Sequence, residues 1–194
     1  MKLDTVKETS TIKAEAYFNK EHTHRYLWRR VWDKDKPLAC VITLNPCMAD
    51  TIIMDTTTFL IVNNVANLEK YGGVEIVNLF SMLTKRLNFR WNSSEEMTDE
   101  TNDGFIQKSA SDCESVIIAW GRCAETNMHI NERALEVINL LSEFKDKMYV
   151  LDDGEKTGCH PLTPSLRKMW GLAKFTDMPT IPSPDNATET TKEE

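Results

Sequence analysis

Four groups of reactive or ligand-binding residue types stand directly after, or at the end of, apolar runs in this chain. Asn45-Pro46 follows the run Leu38–Leu44, with Cys47, Asp50 and Asp55 just downstream. Asn78 and Phe80 close the run that starts at Val74, Trp120-Gly121-Arg122 closes the run from Ser115, and His160-Pro161 follows the short run Met148–Leu151. Two amides, one or two carboxylates, an aromatic ring, a guanidinium and an imidazole form a set that a polar ligand site uses. Cys47 beside His160 is a conceivable nucleophile pair, but nothing in the sequence points to a lowered thiol pKa. Each residue also has a purely structural reading. Asn45 can cap the turn before Pro46, Asp55 can cap the helix that follows, and Asn78 can satisfy its amide on the backbone. Phe80 can be core, and His160 an ordinary loop residue. Gly-x-Gly-x-x-Gly, P-loop and Gly-x-Ser-x-Gly patterns do not occur, which argues against dinucleotide, nucleoside triphosphate and serine-hydrolase sites.

The elements that must position these residues follow from patterning. Leu38–Leu44, Val74–Leu79, Ser115–Trp120 and Met148–Leu151 are short, β-branched and apolar, as strands buried on both faces are. Between them, helices are expected over 57–71, 101–113 and 131–145, with a closing helix over 165–174. Gly72-Gly73 ends the first. Residues 84–99 read as a polar loop, 33–37 as a turn, and Tyr17–Trp32 as an edge strand or strand pair covering the core. Alternation of strand and helix predicts a three-layer α/β/α sandwich around a central four-stranded parallel sheet. In such a sheet all carboxyl ends share one edge, so the four polar groups converge there, where α/β proteins bind ligands. One domain is expected over 17–175, with a flexible N-terminus at 1–16 and a disordered acidic tail at 176–194.

The 194 residues carry a formal charge of −7, are 41% apolar and are 27% charged, which is ordinary for a globular domain. That charge weighs against simple nucleic-acid binding. It is unevenly spread, however, with residues 1–40 at +3 and residues 176–194 at −4. Any phosphate contacts would have to come from short clusters: Arg25, Arg29 and Arg30; Lys85, Arg86 and Arg90; Arg167 and Lys168. The five cysteines are scattered, with no paired spacing, so reduced thiols and no metal site are expected. No membrane span or apolar leader is visible, and a cytoplasmic location is the expectation.

The order of these motifs resembles the uracil-DNA glycosylase superfamily. TLNPCMAD stands where that superfamily has GQDPYH or GINPG, GGVEIVNLFSMLTKR where it has LLLNAVLTVR, SVIIAWGRCAE where it has VFLLWGSYAQ, and CHPLTPS where it has HPSPLS. The match covers roughly residues 38–170. The chain also closely resembles a family known only as a domain of unknown function, through Asn45-Pro46, Asp50, Asp55, Thr57, Asn78-Leu79-Phe80, Asn102-Asp103, Trp120-Gly121 and His160-Pro161-Leu162. The glycosylase resemblance implies hydrolysis of the N-glycosidic bond of a flipped-out pyrimidine in DNA, leaving an abasic site, with no metal or cofactor. Asn45 would position the attacking water, with Asp50 or Asp55 as a nearby carboxylate. Asn78 would read the base edge and Phe80 would stack on the base. His160 would stabilise charge on the departing base. Leu162 or Leu166 would wedge into the duplex, with Arg167 and Arg122 on DNA. Cys47 replaces the tyrosine that blocks C5 substituents in DPY-type members, which leaves room for a 5-substituted pyrimidine. The target would then be a modified base of phage DNA, and the role defence. The chain is expected to act as a monomer on DNA. The alternatives are a hydrolase of free nucleosides or nucleotides, a non-catalytic base-binding module, and a structural α/β domain.

Overall fold

β-branched apolar runs form the middle of a seven-stranded mixed sheet in the computed structural model, which describes residues 5–47 and 50–177. The strands are β1 (Lys13–Phe18), β2 (Arg25–Val31), β3 (Leu38–Thr43), β4 (Gly73–Asn78), β5 (Ser115–Ile118), β6 (Met148–Asp152) and β7 (Gly171–Lys174). The helices are α1 (Thr56–Asn67), α2 (Ser94–Met97), α3 (Glu100–Asp112) and α4 (Met128–Leu140). The sheet order is β1-β2-β4-β3-β5-β6-β7. The inner strands β4, β3, β5 and β6 are mutually parallel and coincide with the four apolar runs.

The expected four-stranded parallel sheet is corrected at both sides. β2 pairs antiparallel with β4 through Trp28 opposite Ile76, and β1 pairs antiparallel with β2. β1 therefore starts at Lys13, inside the segment expected to be a flexible N-terminus. On the far side, residues 165–174 do not form the expected closing helix. Pro164–Leu166 make one 3-10 turn, and Gly171–Lys174 add β7 antiparallel to β6. An open strand edge offers unpaired N–H and C=O groups, and here that outweighs a weak helical pattern. The loop 84–99 contains α2, closed by a Ser93–Glu96 capping box. α4 starts three residues earlier than expected, where the Asn127 side chain accepts from Ile130 N–H at 3.2 Å. The acidic tail from residue 178, and Met48 of the first loop, lie outside the described residues. Among the described residues no helix is long and apolar enough to cross a membrane.

Each face of the sheet carries its own core. Cys40, Ile42, Val77, Val116 and Ile118 pack against Ile106 and Ala110 of α3 and Ala134, Val137 and Ile138 of α4. Ala39, Val41, Val74, Ile76 and Ile117 pack against Ile61 and Val65 of α1 and against Leu166 and Trp170. The end of β4 is clamped from the α3–α4 side. Asn102, fully buried, donates from Nδ2 to Asn78 O at 3.0 Å and Leu79 O at 3.3 Å. Arg133 donates from Nε to the same Leu79 O at 2.9 Å and pairs with Asp103. The adjacent Asn102-Asp103 pair thus holds a strand end in register. Asn102→Ala should lower unfolding stability by about 1–3 kcal/mol, the usual penalty for orphaning buried polar groups. A shift of the urea midpoint with an unchanged slope would show it, and an unchanged midpoint would contradict it.

The chain leaves β3 through α1 to β4 on one side, then returns through α3 to β5 on the other. The direction of winding reverses at β3, so a crevice opens at the carboxyl ends of β3 and β5.

Candidate functional site

A cavity of about 450 Å³ occupies that crevice. Its walls come from the end of β3 (Thr43, Leu44), the loop beyond it (Asn45, Cys47), the start of α1 (Asp55, Thr57, Thr58), the turn after β5 (Trp120 to Cys123) and the loop after β6 (His160, Leu162). Ile61 and Ile76 form its apolar floor, and Arg25 completes the wall.

Asn45 is fixed by its amide nitrogen, which donates to Thr84 O at 2.8 Å and Pro46 O at 3.3 Å. With both amide hydrogens engaged, Oδ1 is the group that Asn45 offers in the cavity, and it is an acceptor. His160 is fixed at its other nitrogen. Leu162 N–H donates to Nδ1 at 3.1 Å, and burial lowers the imidazole pKa below its usual 6.5. The ring is therefore neutral at pH 7, with the proton on Nε2, and acts as a hydrogen-bond donor. Gly121 lets this loop approach. Its φ is +76°, and a Cβ there would lie 3.0 Å from His160 Cβ.

Any reaction that needs the neutral Nε2–H donor should hold its rate from alkaline pH down past 6.5 and fall only below that, as the ring protonates. A rate profile with its acid limb at or above 6.5 would contradict this assignment.

Asp55 serves as the N-cap of α1. Oδ1 accepts from Thr57 N–H at 2.8 Å and Thr58 N–H at 3.1 Å, and Oδ2 accepts from the Thr58 hydroxyl at 2.7 Å. Both oxygens are engaged, so its structural role is met, while its charge still faces the cavity. Asp50 is exposed and does not line the cavity. Its Oδ1 closes a local turn on Ile52 N–H and Ile53 N–H, both at 2.7 Å, which hold its pKa below the usual carboxylate value. Cys47 lines the cavity, half-buried. Burial, reinforced by Asp55, raises its thiol pKa against the opposing effect of Arg25. The thiol is thus protonated at neutral pH, which disfavours a nucleophile role.

Several residues expected at the site stand apart from it. Asn78 is fully buried behind the wall, where Nδ2 donates to the hydroxyl of Thr43, which does line the cavity. Its Oδ1 is buried without a partner. Phe80 points to the opposite face and packs edge-on to Phe89 in the core, so it cannot stack on a ligand in the cavity. The aromatic at the wall is Trp120. Leu166 is only 2% exposed and belongs to the core, which removes it as a wedge. Leu162 is 37% exposed at the rim. Arg122 lines the cavity but is ion-paired to Glu125. Arg167 is exposed and donates from Nε to Leu162 O at 3.1 Å.

Arg25 is the residue that sequence reasoning missed, since it counted only as one cation of a cluster. Arg29 lies by Glu75 at 3.5 Å and Arg30 over the Trp28 ring, so the cluster does not exist as a patch. Phe18 opposes Arg25 and Tyr17 opposes Leu27, so Tyr26 is an extra residue and β2 bulges there. Tyr26 and Leu27 consequently both face α3, the former stacked on Phe105. Arg25 turns to the opposite face, into the cavity with Ile61 and Ile76. Bulges re-aim side chains in this way. Because β2 runs antiparallel to β4, its first residue lies at the carboxyl edge. Arg25 is 2% exposed, and burial draws its pKa down to about 10, with Asp55 and Cys47 opposing. It remains a cation at neutral pH. The signal for it was the adjacent apolar pair Tyr26-Leu27, which breaks strand alternation.

Among the described residues no three His, Cys, Asp or Glu side chains gather as a ligand set for a metal ion. In comparison with known proteins, residues 25–162 match a family described as "Protein of unknown function (DUF1643)". No curated protein and no solved structure matches the chain. The matched stretch begins at Arg25 and ends at Leu162, both of which line the cavity.

Proposed function

The chain belongs to the DUF1643 family, and from the cavity its residues build we propose that it hydrolyses the N-glycosidic bond of a flipped-out, 5-substituted pyrimidine in DNA. The observation that carries this reading is the pairing in one cavity of an oriented acceptor, Asn45 Oδ1, with a neutral donor, His160 Nε2–H. Glycosidic hydrolysis needs two things at opposite ends of the breaking bond: a held water near the sugar carbon, and stabilisation of negative charge on the leaving base. Asn45 supplies the first. His160 supplies the second without having to give up a proton. Arg25 adds a fixed positive charge in the same low-dielectric cavity, where it favours an electron-rich base edge.

Further support comes from the motif order, which resembles that of the uracil-DNA glycosylase superfamily. One role differs from that pattern: Trp120, which lines the cavity, takes the stacking role in place of Phe80. Of the two candidate carboxylates, Asp55 is the one at the cavity. Asn78 acts on a base only through the Thr43 hydroxyl, which lines the cavity and accepts from its amide. Cys47 and the apolar floor leave space at C5, consistent with modified pyrimidines of phage DNA and a role in defence.

The test is base release. DNA containing uracil, thymine mismatches, 5-hydroxymethylcytosine or glucosylated cytosine is incubated with the protein, and abasic sites are cleaved with alkali. Release from one modified substrate, lost in Asn45→Ala, supports the reading. Release of uracil alone overturns the 5-substituted target. Release from none, together with turnover of free nucleosides, overturns DNA as the substrate.

A further inference from the structure

We propose that residues 84–92 form a stacking and phosphate-binding arm that holds single-stranded DNA across the mouth of the cavity. The proposal rests on the glycosylase reading for its choice of DNA, but it adds a surface and a strandedness which that reading does not contain.

The stretch Thr84–Asn92 contains Lys85, Arg86 and Arg90 and no acidic residue, in a chain of net charge −7. Glu95 and Glu96 follow it, and the Glu96 carboxylate is occupied by Ser93 N–H at 3.0 Å. The arm is joined to the site directly, because Thr84 O accepts from the Asn45 amide. It is also anchored from below. Leu87 and Phe89 pack on the core, and Phe89 stacks on His129 at 5.0 Å and meets Phe80 edge-on. Asn88 O shapes the turn by accepting from Trp91 N–H at 3.2 Å and Asn92 N–H at 3.1 Å. With its apolar residues pinned inward, the arm turns Lys85, Arg86, Arg90 and Trp91 outward. Trp91 is 74% exposed, an unusual position for an indole in a loop whose other apolar side chains are packed. The Arg90 guanidinium lies 5.4 Å from its ring centroid, a cation–π pair that stiffens the ring. An indole presented in this way, among cations, is a platform for one base.

A second cationic bank stands on the loop after β6. Arg167 is bonded to Leu162 O, and Leu162 lines the cavity. Lys168 is its exposed neighbour. The arm meets the cavity wall at the Asn45–Thr84 hydrogen bond and the second bank meets it at Leu162, so a strand held by both banks would pass the cavity between these two residues. Two arguments favour a single strand over a duplex. A base can stack on Trp91 only when it is unpaired. The two banks also hold five cations, whereas duplex binders commonly engage about 6–10 phosphates.

The experiment is fluorescence anisotropy of the full chain with a labelled 12-nucleotide single strand and with the same sequence as a duplex, at several salt concentrations. The proposal expects tighter binding of the single strand, with log K falling against log salt at a slope no steeper than about −3.5, about 0.7 per cation. Trp91→Ala should weaken binding about 5- to 150-fold with the slope unchanged. Lys85→Ala with Arg86→Ala should make the slope shallower by about 1.4. Preference for the duplex, no binding of the single strand, or Trp91→Ala binding as tightly as the unaltered chain would each overturn it. Base release is measured in parallel. Release from duplex without single-strand binding overturns this inference alone. Trp91-dependent binding with no release from any substrate overturns the glycosylase reading and leaves the arm standing.

Discussion

His160→Ala is expected to lower base release by about 10²- to 10³-fold while changing substrate affinity only a few-fold, because in the proposed glycosylase reaction the donor it removes would act on charge that develops in the transition state. The argument starts from two hydrogen-bonding facts. Leu162 N–H occupies Nδ1, and burial keeps the ring neutral, so Nε2 carries a proton that is available to a ligand. A neutral imidazole is a weaker acid than a carboxyl group or an imidazolium, so it donates a hydrogen bond to an anionic base without delivering the proton. His160→Gln, whose amide N–H can reach a similar position, should recover part of the loss. Single-turnover rates separate the two effects. A loss confined to affinity, or a Gln variant no better than Ala, would contradict this role.

Asn45→Asp is expected to be as damaging as Asn45→Ala, near 10²-fold or more in rate, although it is isosteric and creates a carboxylate where DPY-type glycosylases have one. The amide nitrogen here donates to two backbone carbonyls, Thr84 O and Pro46 O. A carboxylate cannot donate, so it would face those oxygens with like partial charge and leave Thr84 O without this donor. The loop that carries Cys47 would lose its tie to residue 84 at a cost of about 1–3 kcal/mol. The measurement is paired: urea midpoints and base-release rates for Asn45→Asp and Asn45→Ala. An aspartate variant that is as stable as the unaltered chain and faster than it would show that the site accepts a carboxylate base, and would overturn the assignment of Asn45 as a fixed acceptor.

The central strands and the edge on which polar residues gather were legible because the apolar runs are buried over most of their length and each gives way to polar residues or a glycine turn. Asn45, Cys47, Asp55, His160 and Leu162 could accordingly be placed at one edge, and they line one cavity there, since they follow parallel strands whose direction the alternating pattern sets. Phe80 was misassigned because only one residue separates it from Asn78, and past the end of β4 the strict two-residue alternation no longer fixes its side. Leu166 and Trp170 are spaced as on a helix and do reach the core, but from a 3-10 turn and irregular chain. The open edge of β6 claimed Gly171–Lys174, and no local pattern announces such pairing. Arg25 was hidden for a related reason. Its direction depends on a bulge between two paired strands, of which the sequence carries only the broken alternation at Tyr26-Leu27.

That bulge decides how small this protein can be made. An engineer seeking a minimal domain would cut before Pro37 and retain the four parallel strands, with every residue of the recognised motifs intact. The trimmed chain would lack the guanidinium in the cavity wall, the Trp28 indole that donates to Asp50 O at 2.8 Å and the strand that covers β4. Its motifs would survive in sequence around a cavity of altered charge, beside a bare edge free to pair with another copy.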